Sequence, residues 1–137
     1  MDAEELLRRY AAGERDFSGV DLSNVDIRYE DLRCINLSSA NLSGANLSGT
    51  IMDRANLSNA RMRGARLKAT SLKDAILEEV NLEGASLADV NFYQANLKGA
   101  NLDCTSLFEA YMDGANLGME RIWMKLLFKG RGGDEVS

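Results

Sequence analysis

From Phe17 to Leu117 a large apolar residue stands at every fifth position, and the phase never slips. All 21 of these positions hold Leu, Ile, Met or Phe. Two residues before each lies a smaller set: Val20, Val25, Ile35, Ala40, Ala45 and Thr50, onward to Ala110 and Ala115, broken by Glu30. The residue between the two sets is mostly Asp, Asn or Ser. Two small or polar residues follow, as in Ala40-Asn41-Leu42-Ser43-Gly44. An α-helix advances about 100° per residue, so a five-residue step would spiral the large side chains around every face. One long strand fails as well, because its in–out alternation would reset every five residues. The pattern predicts a short extended piece that turns two side chains inward, then a corner. Repetition of that unit closes a polygon around an apolar axis.

These residues resemble the A(D/N)LXX pentapeptide-repeat family, over residues 16–118. The resemblance implies an all-β solenoid, a right-handed quadrilateral β-helix of about five coils with 20 residues per coil. At roughly 4.8 Å per coil the rod is about 25 Å long. One inner column is then Phe17, Leu37, Leu57, Leu77, Leu97 and Leu117, a structural core. On the outside, the same register sets Asp53 against Lys73, Arg63 against Glu83 and Glu78 against Lys98, with Glu83 and Asp103 as a like-charge exception. Asn36, Asn56, Asn96 and Asn116 are expected to stack and hydrogen-bond along the rod.

An open solenoid exposes unpaired strand edges and calls for caps. Residues 1–15 read as an N-terminal helical cap, started by Asp2, ended by Gly13, with Leu6, Leu7, Tyr10 and Ala11 on one side. Residues 119–129 read as a second helix, and residues 130–137 as a disordered tail.

Composition narrows the chemistry. There is no His, hence no imidazole base, relay or histidine ligand, and no catalytic, metal or cofactor residue is assigned. Formal charge is −5. The repeat region carries a similar excess of acids over bases, which argues against direct nucleic-acid binding. Cys34 and Cys104 lie 3.5 coils apart on opposite faces, about 17 Å along the axis, so no disulfide is expected. No apolar run suggests a secretory signal or a membrane span, which points to the cytoplasm.

Four features stand out from the repeat. Glu30 interrupts the inner set and is expected to reach water, or Thr50 and Thr70 along its column. Six bases gather between Arg54 and Lys73: Arg54, Arg61, Arg63, Arg66, Lys68 and Lys73. Their first explanation is charge pairing between neighbouring coils. Tyr93, Phe108 and Tyr111 fall at outward positions, as do Ile51 and Ile76. In the terminal helix, Ile122, Trp123, Met124, Leu127 and Phe128 widen an apolar stripe, so with Phe108 and Tyr111 they form the candidate interface. That stripe either folds back on its own rod or joins two chains as a homodimer.

The expected function is a non-catalytic protein-binding or scaffold module. The family's best-understood members resemble a DNA duplex and act on type II topoisomerases such as gyrase, which makes duplex mimicry the alternative. A duplex carries one negative charge per about 1.7 Å, or about 15 over this length. The net charge of −5 falls well short.

Overall fold

The computed structural model describes residues 1–118. Its repeat region has one register throughout. The residue before each large apolar one forms a parallel bridge with the residue 20 positions later, from Asp16 with Asn36 to Asn96 with Asn116. One coil is therefore four pentapeptides. Each side of the coil is a single bridged residue rather than a continuous strand, because a corner intervenes every fifth residue and interrupts the ladder. The four faces are named here for their first large residues: Phe17, Leu22, Ile27 and Leu32.

Backbone hydrogen bonding explains why this unit repeats. In one pentapeptide, Asn36 N–H donates to Arg15 O at 2.8 Å, Leu37 N–H to Asn56 O at 2.7 Å, and Ser39 N–H to Ser58 O at 2.9 Å. These bonds tie each coil to both neighbours. The corner is closed by Ala40 N–H on Leu37 O at 3.0 Å. The third corner residue has positive φ and the second does not, which is the type II arrangement. Glycine fills this place at Gly44 and Gly49, but Asn24, Tyr29, Cys34 and Ala69 also adopt it.

Where Asp or Asn precedes the large residue, the fifth N–H is closed by that side chain. Ser38 N–H donates to Asn36 Oδ1 at 3.0 Å, Ser43 N–H to Asn41 Oδ1 at 3.1 Å, and Lys98 N–H to Asn96 Oδ1 at 3.1 Å. This Asx bond gives the Asp or Asn of the motif a defined task. It also corrects the expected asparagine ladder. The amide oxygens turn to their own corner, where a donor two residues away is always present. Asn36 makes a contact along the rod through its amide nitrogen, to Asp16 Oδ1 at 3.4 Å.

Inside, Phe17, Leu37, Leu57, Leu77, Leu97 and Leu117 are all buried, and one apolar cluster runs the length of the axis. Thr50 and Thr70 are buried in the inner set, and both hydroxyls donate to Leu47 O, at 2.7 and 2.8 Å. Their hydroxyl hydrogens are thus committed, and neither bonds to Glu30. Glu30 is half-buried.

Helix α1 spans Ala3–Ala11. The Asp2 carboxylate accepts from Glu5 N–H at 2.8 Å, and Glu4 and Glu5 in the first turn oppose Arg8 and Arg9 in the last, as the helix dipole favours. Leu6 is buried in the cluster that contains Phe17, and Leu7 and Tyr10 pack beside it. Ala11 is exposed, contrary to expectation. The first coil has no predecessor to donate to its carbonyls, and the N-terminal segment that carries α1 supplies two donors. The Met1 amine donates to Asp21 O at 3.0 Å and the Tyr10 hydroxyl to Arg33 O at 2.7 Å. The second helix expected over 119–129 and the tail expected over 130–137 lie outside the described residues.

Candidate interaction surface

With two side chains of each pentapeptide inside, the other three positions carry all the chemistry the rod presents. On the first coil these positions are acidic and self-satisfied. Asp16 accepts from Ser18 N–H at 3.1 Å and Ser18 Oγ–H at 2.8 Å, and Asp21 from Ser23 N–H at 3.0 Å. Asp26 and Asp31 pair with Arg28 and Arg33, at 2.9 and 2.7 Å. The consequence is a set of depressed carboxyl pKa values. The Ser18 hydroxyl holds Asp16 below the usual aspartate range, the Ser23 N–H does so for Asp21, and the Arg28 and Arg33 guanidiniums do so for Asp26 and Asp31.

The middle coil is different. All six bases between Arg54 and Lys73 are exposed. Two have the partners expected from the 20-residue register: Arg63 meets Glu83 at 3.2 Å and Lys73 meets Asp53 at 3.8 Å. Asp53 also accepts from the Ser71 hydroxyl. The third expected pair, Glu78 with Lys98, is not formed; Glu78 instead accepts from the Asn96 amide at 2.7 Å. Among the described residues, no carboxylate lies within 4 Å of Arg54, Arg61, Arg66 or Lys68. Pairing between coils therefore explains two of the six bases and leaves four.

The aromatic positions separate. Phe108 is 70% exposed. Tyr111 is half-buried, with its ring 6.1 Å from that of Tyr93 and its hydroxyl donating to Asp113 at 2.6 Å. Tyr93, Ile51 and Ile76 are exposed. Ile122, Trp123, Met124, Leu127 and Phe128 lie outside the described residues. The sequence reading passed over Tyr29, which is 77% exposed, holds φ at 62° and rests its ring on Gly49, where an added Cβ would come within 2.5 Å of it. The signal was there: a ring at a corner position that small or polar residues usually occupy.

Cys34 and Cys104 are exposed free thiols. Among the described residues no helix is long and apolar enough to cross a membrane, and no group of three or more Cys, Asp or Glu is placed to hold a metal ion.

Residues 16–52, 31–68, 65–103 and 85–118 match the family described as Pentapeptide repeats, with 8 copies. The chain belongs to the pentapeptide repeat family. Among solved structures of this family, it resembles HetL from the cyanobacterium Nostoc sp. strain PCC 7120, described as involved in heterocyst differentiation regulation. Identity is 33% and the TM-score 0.60, over 85% of this chain and 51% of HetL. The chain thus spans about half the length of HetL. A second pentapeptide repeat protein, from Nostoc PCC 7120, is 28% identical with a TM-score of 0.54, over 84% of this chain and 80% of that one. QnrB1, a plasmid-mediated fluoroquinolone resistance protein, is 16% identical with a TM-score of 0.41, over 75% of this chain and 68% of that one. So distant a likeness carries no argument about function. No curated protein matches the sequence.

Proposed function

We propose that this chain is a non-catalytic protein-binding module: a right-handed four-sided rod, helically capped at both ends, that displays its faces to a protein partner in the cytoplasm. The observation that carries this reading is the division of labour within the pentapeptide. Inward side chains fill the axis and the backbone bonds from coil to coil, so the chemistry that varies lies on the outside. A filled axis also offers no concave pocket of the kind small-molecule sites use. Two exposed free thiols fit a reducing compartment.

Immobilised full chain, exposed to extract from its native host, is expected to retain one protein stoichiometrically, identified by mass spectrometry. Retention of nothing above a blank surface would remove the module reading. The homodimer through residues 119–129 is tested by light scattering. Full chain is expected at twice the monomer mass, and chain ending at Leu117 at the monomer mass. Duplex mimicry is the weaker reading, because four exposed bases of the middle coil have no carboxylate beside them.

A further inference from the structure

Each pentapeptide with Asp or Asn before its large residue closes its own fifth N–H. In the middle coil, arginine takes that place on two successive faces, as Arg61 and Arg66. The N–H groups of Arg63 and Lys68 are the ones such a residue would serve. Among the described residues, no acceptor takes either of them. On the Arg61 face every other coil holds an Asx oxygen at this place, and on the Arg66 face the two coils towards the N-terminus do; here both places have a backbone donor instead, with a base on each side of it. Arg61, Arg66 and Lys68 are exposed and have no carboxylate within 4 Å among the described residues; the exposed Arg63 touches Glu83. The corner between the faces is Gly64, where an added Cβ would meet nothing within 4 Å, so the backbone is open to approach.

The charges around this corner select an orientation for whatever binds. One coil towards the N-terminus the same columns hold Asn41, Ser43, Asn46 and Ser48, all neutral. Farther out, roughly 10 Å from the bases at two coils' distance, stand Asp21 and Asp26 on one side and Asp103 on the other. A polyanion lying along the rod would meet like charge at both ends. An anion crossing the rod along the coil would meet the four bases, with Glu83, on Arg63, the acid beside them. Duplex DNA presents charge continuously along its length, whereas an extended peptide brings alternate side chains to one side about every 7 Å. Arg61 and Arg63, like Arg66 and Lys68, likewise stand two residues apart on one face.

We propose that the corner of Arg61, Arg63, Arg66 and Lys68 docks an acidic, extended segment of a partner protein, whose carboxylates accept the two open N–H groups in place of the missing Asx oxygens. This rests on the module reading and specifies the partner's chemistry. The test uses full chain and a fluorescein-labelled peptide of alternating Asp and Ser, with an Asn-for-Asp peptide as reference, followed by fluorescence anisotropy. The acidic peptide is expected to bind at least about tenfold more tightly than the reference, and more weakly as salt rises. The triple variant Arg61→Glu, Arg66→Glu, Lys68→Glu should lose at least about tenfold. The double variant Arg61→Asn, Arg66→Asn restores the internal acceptors; it should also lose binding while melting at a higher temperature, which separates loss of the site from loss of the fold. Equal binding of the two peptides, undiminished binding by either variant, or tighter binding of a DNA duplex at this corner would overturn the inference. If the triple variant retains the host partner as well as the native chain does, the corner falls and the module reading stands.

Discussion

The first coil and the middle coil bury large apolar residues alike and finish their corners by opposite means. In the first, Asp16, Asp21, Asp26 and Asp31 each accept the N–H two residues on. In the middle, the corresponding places from Arg61 to Ile76 hold Arg61, Arg66, Ser71 and Ile76, and the local acceptor is gone. The large inner residues do not change: Leu22, Ile27 and Leu32 are as buried as Met62, Leu67 and Leu72, although the smaller inner places are half-buried at Val20, Val25 and Glu30 and buried at Ala60, Ala65 and Thr70. The interior therefore tolerates either exterior. Fold and surface are separable in this protein, and a coil that gives up its own corner bonds gains donors to offer elsewhere.

The separation can be broken most severely from within. Leu47→Ala and Leu67→Ala occupy one column, two residues that are fully buried with different exteriors beside them. Each should cost about 2–5 kcal/mol, and the two should agree to within about 1 kcal/mol. Urea unfolding followed by circular dichroism measures both. A large disagreement would mean that the exterior reaches the core after all.

A smaller effect sharpens the contrast at the surface. Asn46→Ala removes the oxygen that takes Ser48 N–H at 3.1 Å, and should cost about 1 kcal/mol. Arg66→Ala, one coil along the same column, removes no such bond and should change stability by less than about 0.5 kcal/mol. Equal losses in a melting comparison would deny the Asx bond its role.

The smallest effect is a pH dependence confined to the first coil. A carboxylate held below its unfolded value, about 3.9 for Asp, favours the folded chain above that value. The benefit disappears as pH falls through the lower folded value. Asp16, Asp21, Asp26 and Asp31 are all held low. Native chain should therefore lose more thermal stability between about pH 5 and pH 2.5 than a variant with Asn at all four positions. That variant keeps the accepting oxygens but has no carboxyl to titrate. Parallel melting curves across the range would remove the effect.

Spacing alone disclosed the interior, because a five-residue unit with a corner turns every fifth residue to one axis; the 20-residue coil came from the family resemblance. Charge disclosed part of the exterior: Arg63 with Glu83 and Lys73 with Asp53 follow from register. Competition hid the rest. Glu78 has Asn96 within reach as well as Lys98, and a column of letters cannot rank two neighbours that differ by a rotamer. The asparagines were legible as important and misread in direction, since the donor they serve lies within their own turn. The basic corner was visible as composition, but its meaning depended on which N–H groups the backbone leaves open, a matter of three-dimensional accounting.

The uniform register also governs how such a chain can change in length. Insert five residues between Arg63 and Glu83, and every later side chain rotates a quarter turn onto the next face, so that Arg63 no longer stands beneath Glu83 although the interior still fills. Insert twenty, and all four faces keep their alignment on a taller rod. Lineages of this fold can therefore redraw a surface by small duplications or extend it by large ones, without redesigning the inside.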